Sequence, residues 1–219
     1  MNNISKEDYL SVIFKNRNSD GTIKANQIAE RLNISGAAVT DMLKKLSKDG
    51  YVDYKKYKGI KLTKVGEEYA MNMVRRHRIW EVFLHQVIGI PWDKVHSEAE
   101  NLEHSSSDEL INRLEVMLDF PEFDPHGDPI PDKNGKLPEQ KKAKSLSAVQ
   151  PGSRVKVLKV NDFDSSFLKY ISRIGIGLDK EIEVKEVLKF DGSMLIGIDE
   201  KEITVSNKLA ANIFVINSN

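Results

Sequence analysis

The order of local patterns in the first 64 residues is the feature that most constrains the fold. Apolar residues at helical spacing, such as Leu10 and Ile13, indicate a first helix, and two further short helices follow before residue 50. Ser35 stands where it can cap the third of these helices. Two short strand-like runs then flank a basic tip at residues 55–59. Three helices followed by a basic hairpin predict a winged helix-turn-helix over residues 1–64.

In a helix-turn-helix, the second of the two helices reads the major groove of DNA, mainly through residues near its N-terminus. In this chain that helix is the third predicted one. Those residues are small or polar here, so the helix could lie close to base edges, while lysines of the helix and the wing could contact phosphates. The candidate DNA-binding residues are Ser35, Ala37, Ala38, Thr40, Asp41, Lys44, Lys56 and Lys58. The alternative is a domain of this shape that contacts only proteins and whose lysines are solvated.

Charge and composition narrow the possible partners. Residues 1–76 hold 15 Lys and Arg against 9 Asp and Glu, whereas residues 77–140 hold 5 against 14. A basic first third suggests a polyanion partner, and an acidic middle suggests cations. The chain has no Cys, which excludes thiolate metal sites, and no apolar run approaches the roughly 18 residues of a membrane span. With a polar, acidic N-terminus as well, we expect a cytoplasmic protein with no membrane contact and no organic cofactor.

The segment from residue 96 to residue 104 concentrates groups that bind metals. Four of its side chains fall within roughly a 100° arc of one helix face: His96, Glu100, Glu103 and His104. Carboxylates and imidazoles packed this closely repel one another unless a cation lies among them. The alternative is an ordinary solvated acidic face with two surface histidines.

A second pair of potential ligands, His77 and Glu81, lies one helical turn apart on the preceding predicted helix, and Asp8 on the first helix could complete the shell. A set of imidazole nitrogens and carboxylate oxygens without sulfur suits Mn²⁺ or Fe²⁺ better than structural Zn²⁺. We therefore expect Mn²⁺ as the cofactor, with Fe²⁺ as the alternative.

The rest of the chain contains a proline-rich segment followed by a segment of short strands. Residues 119–145 hold five prolines and a lysine-rich stretch, which predicts a linker or a loop pinned to another part of the chain. From residue 154 onward, short strands interrupted by one helix predict a small β-barrel of the SH3 type, with Asp191 and Gly192 as a hairpin turn. The expected fold is α+β, with a winged helix-turn-helix over 1–64, an all-helical dimerisation and metal-binding domain with a Pro-rich linker over 65–140, and an SH3-like barrel over 146–217.

Four stretches of the sequence together resemble the DtxR/MntR family of metal-dependent repressors, nearly from end to end. They are residues 75–84 (RRHRIWEVFL), 95–104 (VHSEAENLEH), 107–110 (SDEL) and 120–131 (FPEFDPHGDPIP). The C-terminal barrel is similar to the FeoA-like domain of that family. The resemblance implies a homodimer that binds operator DNA.

The resemblance also implies two metal sites. It implies a primary regulatory site made of Asp8, His77, Glu100, Glu103 and His104. It implies a second site made of Glu81, Asp124, His126 and an acidic residue of the barrel, best matched by Asp164 with Asp162 as the alternative. His96 matches an ancillary ligand of the iron-responsive members.

Two departures from the family pattern refine this expectation. Iron-sensing members carry Cys and Met in the primary site, whereas this chain has Glu100 and Asp8 there, as manganese-sensing members do. A short manganese-type member has Glu where this chain has Ser11, and it usually lacks the C-terminal barrel. The chain therefore resembles the long, three-domain manganese branch.

The function expected from this resemblance is repression of metal-uptake genes by a homodimer that binds a palindromic operator when its metal is bound. The alternatives are an iron-dependent repressor of the same fold, a metalloenzyme, and a winged-helix regulator gated by an organic ligand. The sequence carries no Gly-rich phosphate loop, no H-E-x-x-H motif and no triad signature, which disfavours an enzyme.

Overall fold

The computed structural model describes residues 6–54, 59–162 and 164–218, and the chain divides into two compact units. The first unit comprises Met1–His77, Glu103–Ser106 and Pro131–Lys136, and the second comprises Arg78–Leu102, Ser107–Ile130 and Leu137–Asn219. Within the described ranges, the structure contains no helix that is both long and apolar enough to span a membrane.

The first unit contains the predicted winged helix-turn-helix. Its elements are α1 (Lys6–Asn16), α2 (Ala25–Leu32), α3 (Gly36–Lys48), β1 (Val52–Tyr54), β2 (Ile60–Leu62) and the first part of α4 (Lys64–Gln86). The two strands pair antiparallel, with Val52 opposite Leu62. Its core is built from buried side chains of all three helices, including Leu10, Ile13, Ile28, Val39, Leu43 and Leu46.

Local side-chain chemistry sets the helix ends of this unit. Asn33 ends α2 in the left-handed conformation, at φ 52°, a geometry that asparagine tolerates better than most residues. Ser35 begins α3 because its hydroxyl accepts a hydrogen bond from the Ala38 amide. Thr63 does the same at the start of α4, where its hydroxyl accepts from the Gly66 amide. The predicted cap at Ser35 is therefore confirmed.

Gly66 allows α4 to pack directly against the chain that enters β1. A Cβ atom at this position would lie 1.9 Å from the carbonyl oxygen of Tyr51, far inside van der Waals contact. Only a residue without a side chain permits this approach, which fixes the start of α4 against the wing.

The helical part of the second unit is formed by the remainder of α4, most of α5 (Val95–Glu103) and α6 (Asp108–Met117). Ser107 caps α6, since its hydroxyl accepts a hydrogen bond from the Leu110 amide. Two small apolar clusters hold these helices together. One includes Ile79, Val82, Ile111, Leu114 and Ile130, and the other includes Leu84, Val95 and Ala99.

The C-terminal part of the second unit is an antiparallel sheet. Its strands are β3 (Lys144–Ser145), β4 (Arg154–Val160), β5 (Glu181–Val187), β6 (Met194–Ile198), β7 (Lys201–Val205) and β8 (Ile213–Asn217). They lie in the order β3-β8-β4-β5-β6-β7, and α7 (Ser165–Arg173) packs Leu168 and Ile171 into the sheet core. The predicted SH3-like fold is confirmed, although β3 and β7 form the two edges of the sheet, so the described strands do not close into a full barrel.

Part of the proline-rich segment is pinned to this sheet. The segment from residue 122 to residue 130, here called the clip loop, buries His126, and the carbonyl oxygen of His126 accepts a hydrogen bond from the Val160 amide of β4 at 2.9 Å. Lys159 of β4 also contacts the carboxylate of Asp128 at 2.6 Å. Of the two readings of this segment, the loop pinned to another part of the chain is the one that the structure shows for residues 122–130.

Candidate metal centre

In the first unit, one imidazole and two carboxylates converge. His104 Nε2 lies 3.3 Å from an oxygen of Asp8 and 3.4 Å from an oxygen of Glu103. One ligand atom from each of these residues lies within 4.8 Å of the others. Asp8 belongs to α1, whereas Glu103 and His104 stand at the end of α5, so this group joins the first helix to a segment far from it in sequence.

Glu103 links this group to a second histidine. Its other carboxylate oxygen lies 2.5 Å from His77 Nδ1, and both side chains are buried. Four of the five predicted primary-site residues therefore form one connected set in the first unit. The fifth, Glu100, belongs to the second unit, where its carboxylate lies 3.5 Å from His96 Nε2.

Glu7 is a participant that the sequence analysis did not identify. One of its carboxylate oxygens lies 2.5 Å from His104 Nδ1, and the other accepts a hydrogen bond from the Tyr69 hydroxyl at 2.7 Å. Burial alone would raise the pKa of Glu7, but the hydrogen bonds from Tyr69 and His104 outweigh burial and lower it. Sequence patterns gave little indication that Glu7 takes part in this site. Adjacent residues of a helix point about 100° apart, and Asp8 had already been assigned to the site.

His104 is electrostatically matched to these acidic neighbours. Burial alone would lower its pKa, but the hydrogen bond with Glu7 and the charges of Glu103 and Asp8 raise it. A divalent cation placed among the same carboxylates would compete with this proton for the imidazole.

In the second unit, Glu81, His126 and Asp162 form another set whose ligand atoms lie within 4.8 Å of one another. His126 Nε2 lies 2.8 Å from the carbonyl oxygen of Trp92, so Nε2 carries the proton and donates it there. The imidazole of His126 also stacks on the indole ring of Trp92, with ring centroids 5.7 Å apart. These contacts turn His126 Nδ1 toward Glu81, at 3.9 Å.

The buried lone pair of His126 fits a metal ion. Among the residues that the structure describes, Nδ1 of His126 is buried and has no hydrogen-bond partner. A buried polar atom without a partner is costly, and a cation held between this nitrogen and two carboxylates would satisfy it. The donor set of nitrogen and oxygen atoms is the kind that Mn²⁺ and Fe²⁺ accept.

His96 lies beside this second set. Its Nδ1 atom is 3.2 Å from Glu81 and 3.7 Å from Asp162. Burial alone would lower the pKa of His96, but its contacts with Glu100 and Glu81 and the charge of Asp162 raise that pKa to about 10. The imidazole of His96 therefore carries a positive charge in this acidic setting at neutral pH.

Asp124 takes a different position from the other predicted ligands of the second site. One of its oxygens accepts hydrogen bonds from the amides of His126 and Asp128, each at 2.9 Å, and the other lies 3.4 Å from Arg78 Nε. Burial and the charges of Glu81 and Asp128 raise its pKa to about 7. Asp124 shapes the clip loop in this arrangement, close enough to Glu81 for their charges to interact.

Asp164 does not lie in the second set, and the alternative residue, Asp162, does. The carboxylate of Asp164 caps α7, where it accepts hydrogen bonds from the amides of Ser166 and Phe167, and these bonds lower its pKa. The side chain is exposed and is already committed to the helix end. The prediction that preferred Asp164 over Asp162 is corrected on this geometry.

The predicted DNA-reading residues share the start of α3. Ser35, Ala37, Ala38, Asp41 and Lys44 are exposed, and Thr40 is half-buried. The hydroxyl of Thr40 donates to the carbonyl oxygen of Gly36 at 2.9 Å, and Lys44 pairs with Asp41 at 3.2 Å. This pairing keeps the charge of Asp41 partly balanced on the exposed face. Lys56 and Lys58 of the wing lie outside the described residues.

Three family models match successive parts of the chain. Residues 3–60 match the N-terminal DNA-binding domain of iron-dependent repressors, residues 63–132 match their metal-binding and dimerisation domain, and residues 144–217 match the FeoA domain. Together these matches span almost the whole chain, in the order that the sequence predicts.

Individual proteins are similar over large parts of their length. The transcriptional regulator MntR of Oceanobacillus iheyensis is 35% identical over 116 residues, which cover 53% of this chain and 78% of that protein. A solved manganese-dependent transcriptional repressor in complex with manganese is 36% identical with a TM-score of 0.89, covering 97% of this chain and 99% of that one. The manganese regulator SloR is 33% identical with a TM-score of 0.82, covering 98% and 99%.

Proposed function

Because the chain belongs to the DtxR/MntR family of metal-dependent transcriptional repressors, we propose that it represses metal-uptake genes when Mn²⁺ is bound. Members of this family are DNA-binding regulators and not enzymes. The observation that carries the proposal is the convergence of Asp8, Glu103 and His104 within 4.8 Å. Both candidate sites offer nitrogen and oxygen donors that Mn²⁺ and Fe²⁺ accept, and we assign Mn²⁺ as the effector because the similar solved proteins are described as a manganese-dependent repressor and a manganese regulator.

We propose that His77, Glu100, Glu103, His104 and Asp8 hold the primary ion and that Glu81, His126, Asp162 and His96 hold the second. A bound divalent ion would supply the positive charge that offsets the clustered carboxylates. Asp8 would then be held against the end of α5, which fixes α1 and with it the head that carries α3. Asp124 supports the second site by ordering the clip loop. The three functional parts that we assign are residues 1–64, 65–140 and 146–217.

The DNA contacts in this proposal come from the exposed start of α3, with Lys44, Lys56 and Lys58 contributing contacts to phosphates. A homodimer presents two such helices, and they match a palindromic operator when they stand about 34 Å apart or at a multiple of that distance. Metal binding shifts the population toward this spacing, and DNA must tighten metal binding by the same factor. Since the target is DNA, we place the protein in the cytoplasm.

The test of this function uses the full chain and a pool of random-sequence DNA duplexes at fixed salt. We expect selection with Mn²⁺ to enrich inverted repeats, and binding to the enriched duplex to disappear when a chelator is added. Anaerobic Fe²⁺ in place of Mn²⁺ tests the iron-dependent alternative, for which Fe²⁺ would support binding at lower free concentration than Mn²⁺. Binding that is the same with and without every metal would contradict the proposal.

His96 predicts how metal binding at the second site depends on pH. Its pKa of about 10 means that its ring is protonated at neutral pH, and coordination requires the loss of one proton. We therefore expect Mn²⁺ affinity at this site to rise with pH between 7 and 9, with His96 contributing up to about a tenfold gain per pH unit. Calorimetry in buffers of different ionisation enthalpy would count the released protons.

The control for this expectation is His96→Gln, which keeps a polar side chain but cannot be protonated. The variant should release about one proton fewer per bound ion. An unchanged proton count in His96→Gln would contradict the role given to His96.

A further inference from the structure

A series of hydrogen bonds from Tyr69 through Glu7 reaches His104 of the candidate primary site, and neither Tyr69 nor Glu7 is one of the predicted ligands. The Tyr69 hydroxyl donates to one oxygen of Glu7 at 2.7 Å, and His104 Nδ1 lies 2.5 Å from the other oxygen. Tyr69 is on α4 and Glu7 is on α1. Neither residue belongs to the group of three whose ligand atoms converge.

The side chain of Tyr69 is held in place by its neighbours. Its ring packs edge-on against the ring of Tyr51, with centroids 5.6 Å apart. The Lys6 ammonium lies 4.4 Å from the centroid of Tyr51 and 4.5 Å from that of Tyr69. The hydroxyl that holds Glu7 is therefore fixed by packing within the first unit.

The contact with Glu7 decides which nitrogen of His104 faces the acidic groups. With Nδ1–H donating to Glu7, Nε2 is the atom turned toward Asp8 and Glu103, at 3.3 and 3.4 Å. Histidine ligands commonly donate their second ring nitrogen to a carboxylate, which fixes the tautomer and the ring orientation. The arrangement of Glu7 and His104 has this geometry.

We propose that Glu7 is a positioning residue that, held by Tyr69, orients His104 so that Nε2 is presented to a metal ion bound with Asp8 and Glu103. The inference rests on the proposed metal-dependent function. Both carboxylate oxygens of Glu7 are occupied by His104 and Tyr69, so Glu7 acts through His104 and not as a ligand itself.

The test is a titration of the full chain with Mn²⁺, in which free Mn²⁺ is followed by electron paramagnetic resonance. All proteins carry Asp162→Asn to remove a ligand of the second site. Glu7→Gln is expected to lower affinity about 10-fold to 100-fold, the range found when partners of metal ligands are lost, and Tyr69→Phe to lower it less. Glu68→Gln, an exposed carboxylate of α4 beside Tyr69, is the matched control and should bind like the parent.

A second measurement separates positioning from a general structural effect. In the Cd²⁺-loaded chain with ¹⁵N-labelled histidine, we expect His104 to bind metal through Nε2 and to keep a protected, hydrogen-bonded proton on Nδ1. In Glu7→Gln that proton should shift and exchange faster, while thermal unfolding of the metal-free protein matches that of Glu68→Gln.

The results that would overturn the inference differ from those that would overturn the proposed function. If the parent chain binds no Mn²⁺, the metal-dependent function itself fails. If the parent binds Mn²⁺ and Glu7→Gln binds it within twofold of the Glu68→Gln control, Glu7 has no positioning role. An unprotected Nδ1 proton on His104 in the Cd²⁺-loaded parent would also overturn it.

Discussion

Glu103→Gln is expected to abolish metal-dependent binding to the selected operator duplex while leaving a folded homodimer. Glu103 is only 7% exposed, and its two oxygens contact His77 Nδ1 at 2.5 Å and His104 Nε2 at 3.4 Å. The substitution keeps the size of the side chain but removes its negative charge. Both histidines then lose their shared carboxylate, and a divalent cation loses a ligand at the centre of the site.

The expected loss of Mn²⁺ affinity at this site is at least about 100-fold, since a ligand is removed and not merely a supporting residue. It would be measured by titrating Mn²⁺ into the full chain in the presence of labelled operator duplex. Glu98→Gln is the matched control, because Glu98 lies on the same helix and is exposed. Size-exclusion chromatography would verify that both variants remain dimers. Metal-dependent DNA binding by Glu103→Gln at parental Mn²⁺ concentrations would contradict the site as proposed.

Local sequence signals predicted the helix ends most accurately. Ser35 was expected to cap α3 because a hydroxyl placed just before a helical pattern can accept a hydrogen bond from an amide of the first turn. It does so, and Thr63 and Ser107 cap α4 and α6 in the same way. These contacts span only three residues, so nothing far away in the chain can change them. The very short elements β3 and α8 (Asn207–Ala210) were missed because two to four residues carry no readable period.

The contacts between distant residues depended on the family resemblance. No periodicity relates Asp8 to His104; ligand chemistry offered Asp8 only as a residue that could complete the shell, and the resemblance then placed both residues in one site. The resemblance did not extend to Glu7, because it supplied only the ligands and not the residues that hold them. Glu7 is found only when α1, α4 and the end of α5 are placed together in the first unit.

The choice between Asp162 and Asp164 shows where the family resemblance favoured the wrong residue. Both residues follow β4, and a carboxylate can either cap a helix or face a cation. Asp164 stands directly before α7 and is used as its cap, which leaves Asp162 to face Glu81 and His126. The start of α7 decides the outcome, and a boundary accurate to one residue is beyond what a sequence pattern gives.

Gly127→Ala should release the clip loop from β4 and remove metal binding at the second site. Gly127 has φ +89°, and a Cβ atom there would lie 2.3 Å from the carbonyl oxygen of Leu158 and 2.9 Å from the Cα atom of Lys159. Both contacts are with backbone, so no side-chain rotation can relieve them. The left-handed backbone adds a second penalty for any residue with a side chain.

Together the two penalties are expected to lower the free energy of unfolding by about 2–4 kcal/mol, measured by chemical denaturation of the metal-free chain. The loop carries His126, whose carbonyl accepts from Val160 and whose Nδ1 faces Glu81. Moving the loop therefore separates His126 from Glu81 and Asp162. We expect the number of Mn²⁺ ions bound per chain to fall from two to one.

The matched control for Gly127→Ala is Gly177→Ala. Gly177 lies in the same unit, and a Cβ atom there would meet nothing within 4 Å, so both its stability and its Mn²⁺ stoichiometry should stay at parental values. If Gly127→Ala also bound two Mn²⁺ ions and unfolded like this control, the clip loop could not be what holds His126 in place. The second site would then have to form without support from β4, contrary to the hydrogen bond between the Val160 amide and the His126 carbonyl oxygen that ties the loop to the sheet.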